Sequence, residues 1–196
     1  VIYWLYEKIL QRNLSSLPGR VCFMITEEDL VGAPENLYTI TEWCIELGIE
    51  HVMFHISTEN PERLIGHLPG IRSIGGIARL TIHYGEQEEV TGSGIDVTVA
   101  IGKSGREEIT NCIRKMAESG VNPEDVDEEL IESCLTFPYE PDLVIKTGGD
   151  HLTDFLIWQS VYSELFFLDV NWALLRKVDF LRALRDYQSR ARRFGT

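Results

Sequence analysis

Three consecutive carboxylates, Glu27, Glu28 and Asp29, follow the apolar run Val21–Ile25 and the hydroxyl of Thr26. Where a strand turns into a helix, proteins commonly hold phosphates with backbone donors, a cation and a metal-binding carboxylate. This turn has no glycine between Val21 and Val31 and no arginine. Each like-charge contact with a phosphate at ~4 Å near a protein surface costs on the order of a few kcal/mol. The front turn is therefore built to repel an anion. Ser57 and Asn60 bracket a second strand end, where they read equally well as helix caps or as polar ligands. His151 falls in a loop, where a histidine is more often plain surface. Glu164 stands at a helix-to-strand junction, the usual place of a solvated cap. Arg192, Arg193 and Gly195 close the last helix, where basic residues suit the dipole and glycine is a common C′ residue.

The elements that must position these groups alternate. Strands are expected at Val21–Ile25, His51–Ile56, Ile77–Tyr84, Ile95–Ile101, Leu143–Ile145 and Leu165–Phe167. Helices are expected over Pro34–Leu47, stopped by Gly48, from a capping box at Ser104–Glu107 through Met116, from Asn122, over Leu152–Tyr162 and over Val178–Arg193. Asn60-Pro61 starts a short helix that Gly66, Pro69, Gly70, Gly75 and Gly76 cut off. Glu86–Glu89 reads as a solvated hairpin or loop. The alternation predicts one α/β domain over residues 1–196, with a mostly parallel sheet and helices on both faces.

The chain has 196 residues, 44% of them hydrophobic, enough for a full core in a domain of this kind. Acidic residues outnumber basic ones 31 to 18 and the net charge is −13, which argues against nucleic acid as a partner. Cys22, Cys44, Cys112 and Cys134 are far apart, with no C-x-x-C pair or Cys/His cluster, so a zinc site is not expected. They read as reduced thiols of a cytoplasmic protein. No apolar run reaches the ~18–20 residues of a membrane span. Residues 1–14 read as an amphipathic helix without the n-region or cleavage site of a signal peptide. Packing on the protein itself or on a partner is the favoured reading of that helix, and peripheral contact with a membrane surface is the other.

Several segments resemble one family. Lys146-Thr147-Gly148-Gly149-Asp150 is similar to the R-T-S/G-G-E segment of cis-prenyltransferases, the undecaprenyl and dehydrodolichyl diphosphate synthases. Asp154–Gln159 resembles their S/N-F-L-x-W-Q, and Tyr162–Phe167 their Y-S-E-L-Y/F-F. Ser57-Thr58-Glu59-Asn60 resembles the S-T-E-N turn, with Arg63 where that motif has its arginine. Gly105–Glu108 resembles G-G-R-D/E-E, and Arg192–Gly195 the C-terminal R-x-G element.

The resemblance implies a front loop M-D-G-N-x-R-W-A, in which an aspartate holds magnesium and the following residues cradle an allylic diphosphate. Here Thr26 stands for the aspartate and Glu27 and Glu28 for the glycine and asparagine. Lys146 replaces the arginine and loses its bidentate fork. The family's long helices after Arg63, which wall a tunnel for the growing isoprenoid, correspond to a Gly/Pro-rich stub, so no complete tunnel is expected.

The resemblance thus implies an accessory subunit of a heteromeric cis-prenyltransferase, of the Nogo-B receptor type, with no intrinsic catalytic residue. Arg193 and the backbone at Gly195 would hold substrate diphosphate in the partner's site, a reading that the nearness of Thr196 favours. Lys146, Arg63, Ser57 and Asn60 would be residual substrate contacts, and Glu164 a metal contact. Phe155, Trp158, Tyr162, Phe166 and Phe167 would form the dimer interface. The catalytic partner would hold Mg2+ and condense isopentenyl diphosphate onto an allylic diphosphate, making a cis-polyprenyl diphosphate such as a dolichol-type glycosyl-carrier precursor. Two alternatives stand beside this one: a homodimer active through Lys146, Arg63 and Glu164, and a binding module without prenyl chemistry.

Overall fold

Short β-branched and aromatic runs that are buried on both faces set the frame, and the computed structural model describes residues 2–85, 87–137, 140–149 and 156–191. Among these, seven strands form one sheet: β1 (Arg20–Thr26), β2 (His51–Ser57), β3 (Arg79–Tyr84), β4 (Gln87–Thr91), β5 (Asp96–Ile101), β6 (Leu143–Thr147) and β7 (Glu164–Leu168). Their order is β4-β3-β5-β2-β1-β6-β7. All neighbours are parallel except the β3–β4 hairpin, whose exposed edge strand is the solvated segment expected near Glu86–Glu89.

Strand alternation divides the core in two. Val21, Phe23, Ile25, Val52, Phe54 and Ile56 face one layer, with α3 (Glu35–Leu47), α4 (Leu68–Arg72) and α7 (Lys177–Ala191). Phe23 lies 5.6 Å from Phe54 and 5.5 Å from Phe180, centroid to centroid. Each such buried ring contributes about 1.5–3 kcal/mol. Cys22, Met24, Met53, Ala100 and Val144 face the other layer and meet Phe137 and Leu156. Glu108 of α5 (Gly105–Glu118) is hydrogen-bonded into that cover through Gln159, 2.9 Å away. The α/β sheet covered on both faces is therefore the architecture expected from the alternation.

The terminal helix α1 (Ile2–Arg12) packs on α7. Leu10 is buried, Arg182 stands 5.6 Å over the Tyr6 ring, and Gln188 Oε1 accepts from the Ser15 and Ser16 amides at 2.6 and 3.1 Å. This is the packing reading of the first segment. Among the described residues, no helix is long and apolar enough to cross a membrane.

Four local expectations change. Ser104 stands before α5 but makes no side-chain cap, only a carbonyl acceptor for the Glu108 amide at 2.9 Å. The helix expected from Asn122 begins later: Asn122 caps a single 3-10 turn, and Asp127 caps α6 (Glu128–Cys134). Pro61–Gly76 is no irregular stub. It winds as a 3-10 stretch, α4 and a second 3-10 stretch, because Leu64, Leu68, Ile71 and Ile74 recur at helical spacing and are all buried. Residues 157–162 run through turns rather than a helix, with one i,i+4 bond from the Ser160 amide to Leu156. The run Trp158–Tyr162 is poor in helix formers, and the Gln159 side chain is drawn inward to Glu108 and the Phe137 carbonyl.

Candidate functional site at the carboxyl ends of the strands

Open α/β sheets bind ligands beyond the carboxyl ends of their strands, where the strand order reverses. That point lies at β1: the chain leaves it for β2 on one side, and β6 pairs with it on the other. Thr26, Ser57 and Lys146 stand at these ends. By alternation they share the face of Met24 and Met53. The structure thus brings the front turn, the Ser57–Asn60 turn and Lys146 together.

The front turn is closed on itself. Thr26 is the N-cap of α2 (Glu27–Gly32) and forms a reciprocal box with Asp29. Asp29 Oδ2 accepts from the Thr26 amide at 2.9 Å and from its hydroxyl at 3.0 Å, and Thr26 Oγ1 accepts from the Asp29 amide at 3.2 Å. The carboxylates lie in the first turn of a helix, where the dipole favours them. Glu27 turns outward instead. Its carboxylate accepts from the Thr58 hydroxyl at 2.5 Å and pairs with Arg63 at 3.4 Å.

Lys146 is buried and donates to the Thr147 carbonyl at 2.7 Å. Burial lowers its pKa below 10.5, and the nearby Asp29 carboxylate offsets part of that shift. The residual substrate contacts proposed from sequence are therefore engaged differently. Lys146 is bonded to its own chain, and Arg63 is ion-paired with Glu27. Asn60 stands at the N-cap position of the turn at Pro61 without a side-chain cap, its amide donating to Thr58 Oγ1 at 3.0 Å. Gly102, after β5, has φ +65 and would place a Cβ 2.5 Å from Pro61 Cγ, so only glycine lets this loop close against the turn. Beside it runs a groove of about 450 Å3 lined by Ser57, Thr58, Glu59, Lys103, Ser104 and Glu107.

Glu164 lies at the other edge of the sheet. It pairs in register with Leu143 at the start of β6, as Val21 does, five residues from Thr26. At the strand rise of ~3.3 Å per residue that is about 16 Å. Its carboxylate pairs with Arg190 at 3.3 Å. Within one chain Glu164 and the front turn therefore form no common metal site. Among the described residues, no group of three or more His, Cys, Asp or Glu side chains could hold a metal ion. Asp29 Oδ2 is taken by Thr26 and Glu164 Oε2 by Arg190, and the two carboxylates do not converge on one cation within this chain.

Tyr162 is 86% exposed and Val161 65%, and Phe167 and Ile157 are exposed as well. Trp158 is half-buried, and Phe166 packs on the core from the rim. Phe155, His151, Arg193 and Gly195 lie outside the described residues. Sequence reasoning missed the Thr26–Asp29 box although its T-x-x-D pattern was legible. It also missed Thr58 and the Glu108–Gln159 contact, which no local pattern signals.

A mostly parallel sheet with polar groups gathered at the switch point defines an open α/β protein. A family model described as "Putative undecaprenyl diphosphate synthase" matches residues 67–195. The chain belongs to this family, the cis-prenyltransferases. The match begins after the front turn. The chain is 34% identical to a tritrans,polycis-undecaprenyl-diphosphate synthase (geranylgeranyl-diphosphate specific) of Methanocaldococcus jannaschii, over 97% of this chain and 88% of that one. It is 32% identical to an isoprenyl transferase of Thermus thermophilus, over 99% and 95%. The first alignment spans 247 positions, more than the 196 residues here, so that relative carries segments this chain lacks. A crystal structure of a probable undecaprenyl diphosphate synthase from Campylobacter jejuni shares the fold, with TM-score 0.66 and 21% identity over 93% of this chain and 100% of that one.

Proposed function

We propose that this chain serves cis-polyprenyl diphosphate synthesis as the catalytically degenerate subunit of a two-chain enzyme. The observation that carries the reading is the Thr26–Asp29 box. It fills the turn where the family resemblance calls for a metal-binding aspartate and a diphosphate cradle. Thr26 gives both its amide and its hydroxyl proton to Asp29 Oδ2, so neither side chain keeps a donor for an incoming diphosphate. A partner with an intact M-D-G-N-x-R loop would hold Mg2+, isopentenyl diphosphate and the allylic diphosphate. This chain would offer the exposed apolar strip through Val161, Tyr162 and Phe167 as its contact and would send Arg193 and the Gly195 backbone into the partner's site. A cytoplasmic setting, with the product passing to a membrane, belongs to the same proposal.

A second reading, a chain active by itself or as a homodimer, is favoured by the names of its relatives. Those matched along nearly its whole length are named as synthases and transferases. One experiment separates the two. The purified chain is assayed for condensation with magnesium and both substrates, alone and mixed with a family member carrying the intact loop. Turnover only in the mixture, lost with Arg193→Ala, supports the accessory subunit. Turnover by the chain alone establishes the second reading.

A further inference from the structure

We propose that Glu27 is a built-in anion, seated where the fold would otherwise accept a free anion of the phosphate class. The side chain leaves the first turn of α2 and crosses to the loop after β2. There one carboxylate oxygen accepts from the Thr58 hydroxyl at 2.5 Å and the other faces the Arg63 guanidinium at 3.4 Å. Thr58 is oriented for this. Its oxygen already accepts from the Asn60 amide at 3.0 Å, so its one proton is committed to the anion. A fixed hydroxyl beside a guanidinium is a donor set that serves carboxylate and phosphoryl oxygens alike.

The surroundings support an anion seat over a plain structural contact. The side chain of Arg63 is 71% exposed and that of Glu27 24%, and an ion pair with its cation this open to solvent adds little to folding. Thr58 also lines the groove of about 450 Å3, which brings Lys103 to the same mouth. With Glu27 in place an incoming phosphate meets a carboxylate already bonded to both donors. Glu59 and Glu107 line the groove as well, so removing Glu27 decides whether the seat is net attractive. The proposal deepens the reading of this strand end as a degenerate diphosphate site. Its test uses neither partner nor turnover, so either can fail without the other.

The test is rescue of the full chain by inorganic pyrophosphate, without metal and at ionic strength matched with chloride. The thermal midpoint and calorimetric binding are read for wild type, Glu27→Ala and the Glu27→Ala/Arg63→Ala double variant, with far-ultraviolet circular dichroism confirming the fold. Wild type and the double variant are expected not to respond. Glu27→Ala is expected to gain about 3 °C in the presence of excess pyrophosphate. No gain in Glu27→Ala, or an equal gain in wild type or in the double variant, overturns the proposal. Should Glu27→Ala not fold, Glu27→Gln, which removes the charge and keeps an acceptor for Thr58, is judged by the same outcomes.

Discussion

Gln159 donates through Nε2 to Glu108 Oε2 at 2.9 Å and to the Phe137 carbonyl at 3.1 Å, joining two residues 51 positions apart. Both side chains are buried, and the other Glu108 oxygen accepts from the Thr136 amide at 3.1 Å. One carboxylate thus fixes α5, the strap through Phe137 and the turn that carries the exposed strip at Val161 and Tyr162. The sequence segments that hold Gln159 and Glu108 both resemble family motifs, and the fold uses them against each other.

Removing this carboxylate leaves buried donors without acceptors. Glu108→Ala is expected to cost about 1–3 kcal/mol, because the Thr136 amide and the Gln159 amide group keep their desolvation cost. In a chain of this length that is a fall of several degrees in thermal midpoint, roughly 2–4 °C per kcal/mol. Glu108→Ala/Gln159→Ala is expected to cost less than the sum of the single changes, by about 0.5 kcal/mol or more. Urea titration of the four proteins checks it, and strict additivity would show that the contact does not act as a unit.

Lys146 predicts an alkaline signature. Burial lowers the folded-state pKa below 10.5, with Asp29 pulling partly the other way. On raising the pH the folded chain therefore loses this proton first. Between the folded pKa and 10.5 the unfolded chain binds more protons, so this term makes stability rise with pH, and below that window it is flat. Lys146→Met has no such term. The stability of wild type relative to Lys146→Met, followed from pH 8 to pH 10.5, is expected to climb as 10.5 is approached. A difference that stays level across that range would place the ammonium in water rather than beneath the strand ends.

The sheet was legible because its central strands are near-continuous apolar runs, and Gly48 marks the end of α3 at φ 76, as its position suggested. The site was legible only in part. Thr26-Glu27-Glu28-Asp29 carries two messages, a capping box and a damaged phosphate turn, and composition favours neither. Tertiary contact decides: Asp29 folds back on Thr26 while Glu27 finds Thr58 and Arg63, 31 and 36 residues away. The segment after Arg63 misled because Gly and Pro read as breakers, whereas Leu64, Leu68, Ile71 and Ile74 bury one side of it. Gln159 falls inside the helix expected over Leu152–Tyr162. Its inward reach depends on the turn geometry at 157–162, which periodicity does not encode.

His83 predicts the acid limb. Its ring is buried edge-on to Phe137 at 4.8 Å, with Glu88 at 3.6 Å from Nδ1. Burial lowers its pKa below 6.5, and the Glu88 carboxylate offsets part of the shift. As the pH falls through 6.5 the unfolded chain takes up the proton while the folded chain does not. Stability drops from 6.5 down to the folded pKa and this term is constant below it. His83→Phe is expected to remove that slope. Thermal midpoints between pH 7.5 and pH 5 test it: an equal slope in both proteins would assign the acid limb to other groups.

The cysteines predict an order of chemical accessibility that reports on the sheet itself. Cys22 lies in β1 between β2 and β6, and burial pushes its thiol up to about 12. Cys44 is raised by the same cause within α3. Burial, with the neighbouring Cys134 thiol adding to it, pushes Cys112 up to about 11. Cys134, at the end of α6, is half-exposed and borders the groove beside α5. Thiolates are the reactive form, so iodoacetamide at pH 8 is expected to alkylate Cys134 first. Cys22 and Cys44 should react only through opening of the sheet or of α3, with rates that rise with urea as the open population grows. Peptide mapping of a labelling time course gives the order. Modification of Cys22 as fast as Cys134 in the native chain would mean that β1 is not held between β2 and β6.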